Sequence, residues 1–410
     1  MNSIVIVGGG IAGLQAAQIL QSKGLDFILI EKSMSLGGRV QSESFQGYTL
    51  DHGFQVLQTA YPEVQRSLHL SKWDLSYFQS GAYVLQDGKF KPFLNPLKSP
   101  FLFLKNIRSS GASIFDLLKL AWIWLKTQGS ISPLSSDTET TSELISRYRF
   151  SEKFQRIFLR PFFAGIFLDD QLTPPASLFF YYMKQFLEGK AALPKHGIGD
   201  IALDLASRIP KEKLLTGVSV IEIQEKSLQL SNGNTIHFDH LVLATDPKQA
   251  CDLLNIDFPE NAHFSSKTFY FSLDRNLETS LPLIHLMPLN SSPMLHFSCI
   301  SQVNPSLAPE GKHLISATSL QKEVSDVEIV RELANVLNLS QADFTYLKSF
   351  SIPHSLFKLG CFTEVCQKAE GKNIILAGDY TLFPSLQAAL SSGRNAAEKI
   401  IATRQTDLHQ

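Results

Sequence analysis

The chain has 410 residues, of which 44% are hydrophobic and 18% charged, and its formal net charge is −1. This length allows two domains with large cores, and the near-zero charge argues against nucleic acid as a partner. The cysteines, Cys251, Cys299, Cys361 and Cys366, lack zinc-site spacing, so we expect reduced thiols and no metal. Met1 leads straight into an apolar run, and no window of 18 uncharged apolar residues follows. We therefore expect a cytoplasmic protein with neither a signal peptide nor a spanning helix.

The first forty residues contain a nucleotide-binding pattern. Residues 3–7 form a short β-branched run, which is typical of a buried strand, and a stretch with helical apolar spacing follows. Between them, Gly8, Gly10 and Gly13 match G-x-G-x-x-G, and after a second predicted strand Glu31 stands 18 positions beyond the last glycine. Such a turn lets a pyrophosphate approach the backbone at a helix N-terminus, while the acid accepts hydrogen bonds from a ribose. The pattern predicts a Rossmann-type dinucleotide site.

Motifs at both ends of the chain narrow the choice of dinucleotide. Residues 36–40 read Leu-Gly-Gly-Arg-Val, residues 373–379 read Asn-Ile-Ile-Leu-Ala-Gly-Asp, and residues 385–393 begin the last predicted helix. With these motifs the chain resembles the flavin-containing amine oxidase superfamily, and within it the branch of phytoene and carotenoid desaturases and protoporphyrinogen oxidases. The resemblance implies an FAD-dependent oxidoreductase that holds its FAD without a covalent bond.

The resemblance assigns cofactor contacts to residues from both halves of the chain. It implies that the Gly-Gly-Arg turn contacts the phosphates, that backbone groups near Val218 contact adenine, and that Gly378 and Asp379 lie at the ribityl and pyrophosphate groups. The residues assigned to FAD are Gly8, Gly10, Ile11, Ala12, Gly13, Glu31, Lys32, Gly38, Arg39, Gly53, Phe54, Val218, Ala244, Thr245, Gly378, Asp379, Ser385, Leu386 and Ala388.

The resemblance also implies a fold class. We expect an α/β, Rossmann-type FAD-binding domain with a parallel sheet and a β-meander. We expect beside it an α+β substrate domain with a mixed sheet and a helical, aromatic-rich insertion. The FAD-binding domain is expected to be discontinuous, and the substrate domain to fill its gaps. The predicted ranges are 1–85, 190–247 and 354–410 for the first, and 86–189 and 248–353 for the second.

Catalytic side chains are harder to assign. Residues 53–62 resemble a desaturase segment that lies against the flavin, but Gln55 stands where related desaturases usually carry histidine. His52 is a neighbouring acid–base candidate, with a structural histidine as the alternative. Lys267 precedes a predicted strand and is a candidate for the lysine that amine oxidases hold over flavin N5, with a solvated strand-edge lysine as the alternative. No catalytic residue is assigned.

The middle of the chain is apolar and aromatic. Residues 100–128 read as a pair of apolar helices, and across 98–126 lysine and arginine are interleaved with Asp116 as the one acid. This pattern fits either a helix pair lying in a membrane surface or a buried pair covering the substrate cavity. Residues 140–187 are rich in Phe and Tyr, which suits a large lipophilic substrate or ordinary core packing.

The function expected from these features is hydride transfer from a lipophilic substrate, of the isoprenoid, polyene or porphyrinogen kind, to flavin N5. A flavin amine oxidase, a redox-neutral FAD-dependent isomerase and a flavin-binding assembly module remain alternatives. Ser385 stands where amine oxidases place a tyrosine of their aromatic cage, which argues against amines. The sequence does not identify the electron acceptor, for which oxygen and a quinone are the candidates.

Overall fold

The computed structural model describes residues 3–106, 111–129, 132–134, 138–275, 277–279, 281–372 and 374–407, without the side chains of Lys72, Thr406 and Asp407. The first strands and helices alternate, whereas later parts are mainly helical or mainly extended. The strands are β1 Ile4–Val7, β2 Phe27–Glu31, β3 Ser42–Phe45, β4 Tyr48–Asp51, β5 Leu57–Gln58, β6 Leu75–Tyr77, β7 Gly81–Gln86, β8 Lys89–Leu94, β9 Ala191–Pro194, β10 Leu214–Thr216, β11 Val220–Ile223, β12 Ser227–Leu230, β13 Thr235–His237, β14 His240–Leu243, β15 His263–Leu273, β16 Ile284–Leu286, β17 His296–Cys299, β18 His313–Ser319, β19 Phe344–Phe357 and β20 Ile374–Leu376. The helices are α1 Ile11–Ser22, α2 Pro62–Ser67, α3 Pro100–Asn106, α4 Ile114–Lys126, α5 Thr141–Arg147, α6 Glu152–Phe154, α7 Arg160–Phe167, α8 Ala176–Glu188, α9 Asp200–Ser207, α10 Pro247–Leu254, α11 Ile300–Val303, α12 Asp326–Leu337, α13 Thr363–Gly371 and α14 Leu386–Asp407.

A parallel sheet of five strands, in the order β10-β2-β1-β14-β20, forms the first layer. Its strands are short apolar runs because both faces are covered. Ile4 and Ile6 pack with α1, α9 and α14 on one face, while Val5 and Val7 pack with the β11-β12-β13 meander, α10 and α13 on the other. The predicted Rossmann-type sheet with its β-meander is therefore confirmed.

A second, mixed sheet has seven strands in the order β19-β15-β18-β17-β16-β7-β8. Its neighbours are antiparallel except for β16 and β7, which run parallel. Phe269, Phe271 and Phe297 pack with Ile329 and Leu333 of α12 on one face of this sheet. Since side chains alternate along a strand, the residues between them face the opposite side.

Helices α3 to α8 form the aromatic-rich insertion. Phe154, Phe163, Phe167 and Phe179 are fully or almost fully buried in one cluster. A π-helical stretch, Gln155–Leu159, joins α6 directly to α7. None of the helices in the part of the chain that the structure describes is long and apolar enough to cross a membrane. Residues 107–110, four of the seven between α3 and α4, belong to the predicted helix pair at 100–128 and lie outside the described residues.

The long strand β19 was not predicted. It lies at the edge of the mixed sheet, where Pro353 removes no hydrogen bond from an inner ladder, so a strand can run through a residue that normally interrupts one. The strand crosses the expected domain boundary at 353–354 without a break, and β7 pairs with β8 across the expected boundary at 85–86. The division into two domains stays a prediction.

Candidate functional site

A continuous cavity of about 1190 Å³ lies between the parallel sheet and the mixed sheet and extends into the helical insertion. Most of the residues assigned to FAD from the sequence line its first part. They are Gly8, Gly10, Ile11, Ala12, Glu31, Lys32, Gly38, Arg39, Gly53, Phe54, Val218, Ala244, Thr245, Gly378, Asp379, Ser385 and Leu386.

The glycine turn between β1 and α1 shows why its spacing matters. Gly8 has a φ of +109°, and a Cβ there would lie 2.4 Å from the Ala244 carbonyl oxygen. A Cβ on Gly13 would lie 2.0 Å from the Gly8 oxygen, so this glycine lets α1 pack directly on the turn. A Cβ on Gly10 would meet only the Gly38 Cα, at 4.0 Å. Gly8 and Gly13 are therefore required by the fold, whereas Gly10 leaves open space at the cavity wall.

The N-terminus of α1 is suited to an anion. Helix α1 has no side-chain cap and no acidic residue in its first turn, so its first amides and the positive end of its dipole are not matched by a side chain of the helix. The Gly37 amide donates to the Gly9 oxygen at 2.8 Å, which holds the Gly-Gly-Arg turn beside the helix end. Two glycine turns thus form one backbone cradle that a pyrophosphate fits.

Glu31 is the last residue of β2, at the same end of the sheet. Its carboxylate accepts hydrogen bonds from the Gly9 amide at 2.7 Å and from the Ser33 amide at 2.9 Å. These bonds fix the position of the carboxylate, and an ionised carboxylate has further lone pairs for ribose hydroxyls.

Arg39 and Asp379 bring the two ends of the chain together. Their side chains form an ion pair in which Asp379 is 4% and Arg39 40% exposed. A second Arg39 nitrogen donates to the Ser355 oxygen at 2.9 Å, and the guanidinium lies over the Phe357 ring. The carboxylate of Asp379 therefore orients a cation at the cavity wall, where a phosphate can reach its exposed part.

Two buried hydroxyl groups on the cavity wall have no hydrogen-bond partner among the described residues. They belong to Thr245, which follows β14, and to Tyr380, which follows Asp379. Buried polar atoms are normally paired, so these hydroxyls are available to a ligand. Together with the cradle, Glu31 and the Arg39–Asp379 pair, they make the residues present at this end fit FAD.

Gly13 and Ala388 do not line the cavity. Gly13 lies behind the turn, and Ala388 is fully buried, with its amide donating to the Ser385 hydroxyl at 3.0 Å. Lys267 also lies outside the cavity lining, and its Nζ donates to the Val324 oxygen at 2.9 Å. Lys267 is half-buried on β15, an inner strand of the mixed sheet, so it is also not a solvated lysine at a sheet edge, and we do not carry it into the site.

His52 and Gln55 both line the cavity but have protein partners. The His52 Nε2 lies 3.2 Å from a Glu43 carboxylate oxygen, and its ring stacks on Phe350. The Gln55 amide donates to the Arg39 oxygen at 2.9 Å and to the His52 oxygen at 3.0 Å. Gln55 therefore ties the segment after β4 to the Gly-Gly-Arg turn.

The far part of the cavity is lined by large apolar side chains. They come from β8, α3, α4, the π-helical stretch, α7 and α8, which pack around it, and they are Phe93, Phe103, Leu117, Leu120, Trp124, Phe158, Phe162, Ile166, Met183, Phe186 and Leu187. Helix α4 thus covers the cavity, but it is not buried as the cavity-covering alternative for the helix pair expects, because its outer side is exposed.

The sequence analysis missed the polar residues on the mixed sheet. His296, Thr318 and Thr268 line the cavity and are almost fully buried. They lie on β15, β17 and β18, but nothing in the pattern of a strand tells which of its polar residues meets a cavity built by distant segments.

Comparisons with known proteins agree with this geometry. Over 166 residues the chain is 28% identical to protoporphyrinogen oxidase 2, chloroplastic/mitochondrial, of Arabidopsis thaliana, covering 40% of this chain and 32% of that protein. Over 65 residues it is 48% identical to 4,4'-diapolycopen-4-al dehydrogenase of Metabacillus indicus, covering 16% of this chain and 13% of that protein. The matched segments thus span a third or less of these curated relatives.

Two solved structures share the whole fold. A putative protoporphyrinogen oxidase from Exiguobacterium sp. 255-15 superposes with a TM-score of 0.71 at 16% identity, covering 97% of this chain and 98% of that chain. A reduced UDP-galactopyranose mutase superposes with a TM-score of 0.68 at 16% identity, covering 98% of this chain and 96% of that chain. The family model for flavin containing amine oxidoreductases matches residues 11–401, and the chain belongs to that family of FAD-dependent oxidoreductases.

Proposed function

We propose that this protein removes a hydride from a lipophilic substrate of the isoprenoid, polyene or porphyrinogen kind and transfers it to N5 of non-covalent FAD. The observation that carries the proposal is the shape of the cavity. One continuous space joins a backbone cradle suited to a dinucleotide with a chamber walled by Phe, Leu and Trp side chains. The names of the partial relatives, a protoporphyrinogen oxidase and a carotenoid dehydrogenase, point to the same substrate class.

The chain contributes binding and orientation to this reaction. The flavin, when bound, supplies the two-electron acceptor. The cradle at α1, Glu31 and the Arg39–Asp379 pair hold the dinucleotide. Rings such as Phe158, Phe162 and Phe186 bury the apolar substrate and exclude water beside it.

The cysteines support non-covalent attachment of the flavin. Cys251 and Cys299 are buried, and Cys361 and Cys366 are half-buried. No cysteine lies among the residues that line the cavity, so in the described structure no thiol is placed to bond the flavin ring.

We further propose that α3 and α4 rest on a membrane surface. The inner side of α4 lines the cavity, while Phe101 and Leu104 of α3 and Phe115 and Leu118 on the outer side of α4 are 59–87% exposed. Large exposed apolar patches on soluble proteins normally mark an interaction site.

The charges around the outer side of α3 and α4 have one sign. Asp116 is buried and accepts hydrogen bonds from Ser113 and Ser151, which together outweigh the effect of burial and lower its pKa. Lys105 and Lys126 are exposed at the helix ends. An anionic lipid surface therefore meets apolar side chains and cations without an exposed acid on these two helices.

The test of the redox proposal begins with the absorption spectrum of the purified protein before and after acid precipitation. We expect a flavin spectrum that is released into the supernatant. The flavin should then bleach anaerobically when protoporphyrinogen IX or phytoene is added, and not when benzylamine is added. Bleaching by benzylamine alone would support the amine oxidase alternative, and steady conversion without net electron transfer would support the isomerase.

The test of the membrane proposal is co-sedimentation with phosphatidylglycerol vesicles. We expect Phe115→Glu to reduce binding about tenfold or more, because it puts a charge into the apolar face. Val327→Glu is the matched control, since Val327 is as exposed as Phe115, at 65% against 68%, but lies on α12. Equal loss in both variants, or no binding by the unaltered protein, would contradict the proposal.

A further inference from the structure

Three polar side chains lie in a row on the wall of the cavity that the mixed sheet forms. In the mixed sheet His296 of β17 pairs with Thr318 of β18, and Thr318 pairs with Thr268 of β15. All three line the cavity, and their exposed fractions are 3%, 3% and 0%. Cross-strand neighbours on one face lie close together, so the three form one strip, which we call the polar strip.

The polar strip begins beside the segment expected to face the flavin. The His296 ring lies 5.0 Å, centroid to centroid, from the Phe54 ring. The Phe54 amide donates to the Thr268 hydroxyl at 3.3 Å. Gly53 and Phe54 are among the residues assigned to the cofactor, so the strip lies where the cofactor end of the cavity meets the apolar chamber.

His296 is the member of the strip with unused bonding capacity. Its Nδ1 is buried and has no hydrogen-bond partner among the described residues. Burial lowers the pKa of the ring to about 4, so the imidazole is neutral at physiological pH. A buried polar atom without a hydrogen-bond partner lowers the stability of the folded protein by about 1–3 kcal/mol, and a ligand that bonds to it would offset this loss.

Gly165 keeps the space beside the His296 ring open. A Cβ on Gly165 of α7 would lie 3.3 Å from the His296 Cδ2, which is a tight contact. Glycine at this position leaves the ring edge in contact with the cavity, and Gly165 itself lines the cavity.

A second buried histidine provides a comparison. His285 of β16 is fully buried and stacks against Tyr83 and Phe297, with centroid distances of 4.6 and 4.3 Å. Its Nδ1 also lacks a partner among the described residues, but His285 does not line the cavity. Ring stacking and a hydrogen bond of 3.3 Å between its Nε2 and the Thr279 hydroxyl therefore hold His285 in the core, whereas the ring of His296 is presented to a ligand.

We propose that the polar strip of His296, Thr318 and Thr268 binds one uncharged polar group, such as a hydroxyl, carbonyl or pyrrole N–H, of an otherwise apolar substrate. The strip contains a neutral ring and two hydroxyls and no cationic side chain, which suits an uncharged group better than a carboxylate or phosphate. The inference rests on the proposed function and narrows its substrate class. By holding the polar group, the strip positions the neighbouring carbon atoms at the junction with the cofactor site.

The test compares two C15 probes that differ in one polar group, farnesol and the hydrocarbon farnesene. Their affinities for the flavin-loaded protein are measured by displacement of a fluorescent apolar dye. We expect the unaltered protein to prefer farnesol by about tenfold or more, because a site built to hydrogen-bond a hydroxyl rejects the analogue without it. His296→Phe should remove this preference while leaving the affinity for farnesene nearly unchanged.

His285→Phe is the matched control and should keep the preference for farnesol. Thr318→Val, which is nearly isosteric, provides a second variant should His296→Phe fail to fold, and it should weaken the preference several-fold. The inference is overturned if the unaltered protein shows no preference, or if the folded variants of His296 and Thr318 retain it. The measurement needs no turnover, so it distinguishes failure of this inference from failure of hydride transfer, which the anaerobic bleaching reports.

Discussion

The two ends of the cavity are built in opposite ways. At the cofactor end the cradle is backbone, and its shape depends on Gly8 and Gly13, where a single added Cβ would lie 2.0–2.4 Å from a carbonyl oxygen. At the substrate end the wall is made of large side chains, including Phe158, Phe162 and Phe186. The cofactor end therefore recognises a ligand through backbone geometry that tolerates no extra atom, whereas the substrate end recognises apolar volume that side chains can adjust.

The largest effect is expected from added atoms at the cofactor end. Gly13→Ala should abolish FAD binding and greatly reduce the yield of folded protein, because its Cβ would lie 2.0 Å from the Gly8 oxygen in the packed turn. Gly10→Ala should fold, since its Cβ has no neighbour within 4.0 Å except the Gly38 Cα, but should lose FAD affinity by occupying the cradle.

Flavin absorbance per folded protein, with folding followed by circular dichroism, measures both effects. Gly371→Ala, where a Cβ has no neighbour within 4 Å, is the control and should behave like the unaltered protein. Normal flavin content in Gly10→Ala would show that the glycine turn does not hold the pyrophosphate.

The next effect distinguishes a residue that lines the cavity from a residue of the core at the substrate end. Phe163 is fully buried and does not line the cavity, so Phe163→Ala should lower the free energy of unfolding by about 3–5 kcal/mol. The adjacent Phe162 lines the cavity, so Phe162→Ala should cost less stability but weaken binding of farnesene.

Chemical denaturation and dye displacement on the two variants give the two quantities. Flavin content should be unchanged in Phe162→Ala. Equal loss of stability in both variants would mean that Phe162 is a core residue and not part of the chamber.

A smaller effect is expected at the Arg39–Asp379 pair. Asp379→Asn keeps the shape but removes the charge that orients Arg39, and should weaken FAD binding by about 10–100-fold, the range for one charge-assisted hydrogen bond. Titration of the apoprotein with FAD measures this loss. Asp204→Asn, in an ion pair with Arg208 that lies away from the cavity, is the control, and an equal loss there would contradict a specific role.

The smallest effect concerns pH and comes from His285, the histidine buried in the core. Burial lowers the pKa of His285 to about 3 in the folded protein, against about 6.5 for an unperturbed histidine. The unfolded chain therefore binds a proton first, and stability that is complete above about pH 6.5 is lost as the pH falls towards 3. At pH 5 this amounts to about 2 kcal/mol.

His285→Phe should consequently lose less stability between pH 7 and pH 5 than the unaltered protein. Asp51, whose pKa burial raises to about 6, acts in the opposite direction but is present in both proteins, so its effect cancels in the difference. Urea unfolding at the two pH values measures the difference, and an equal change in both proteins would show that His285 does not titrate as described.

The cofactor end could largely be predicted from the sequence. Gly8, Gly10, Gly13 and Glu31 belong to one strand–turn–helix–strand unit, whose geometry depends on residues close together in the chain. The resemblance of the Gly-Gly-Arg and Gly-Asp motifs to a known superfamily placed Arg39 and Asp379 at the same site, although 340 positions separate them.

The mixed sheet could be predicted only in part. Its inner strands have recognisable apolar patterns, but β19 contains Pro353 and is stable because it lies at the sheet edge. The two alternatives for the helix pair at 100–128 also could not be decided from the pattern, because apolar residues occupy both faces of α4, with Leu117 on the inner face and Leu118 on the outer face.

The sequence by itself determined the dinucleotide cradle and the apolar character of the middle of the chain, because these depend on local spacing and composition, and the resemblance of its motifs to a known superfamily gave the family. Only the tertiary structure decided which side chains meet in the cavity. His296, Thr318 and Thr268 come from three strands whose pairing brings distant segments together, and the same strand pattern places His285 in the core. Burial of one histidine in the core and presentation of the other to the cavity follow from register and packing across the sheet, which no single segment encodes.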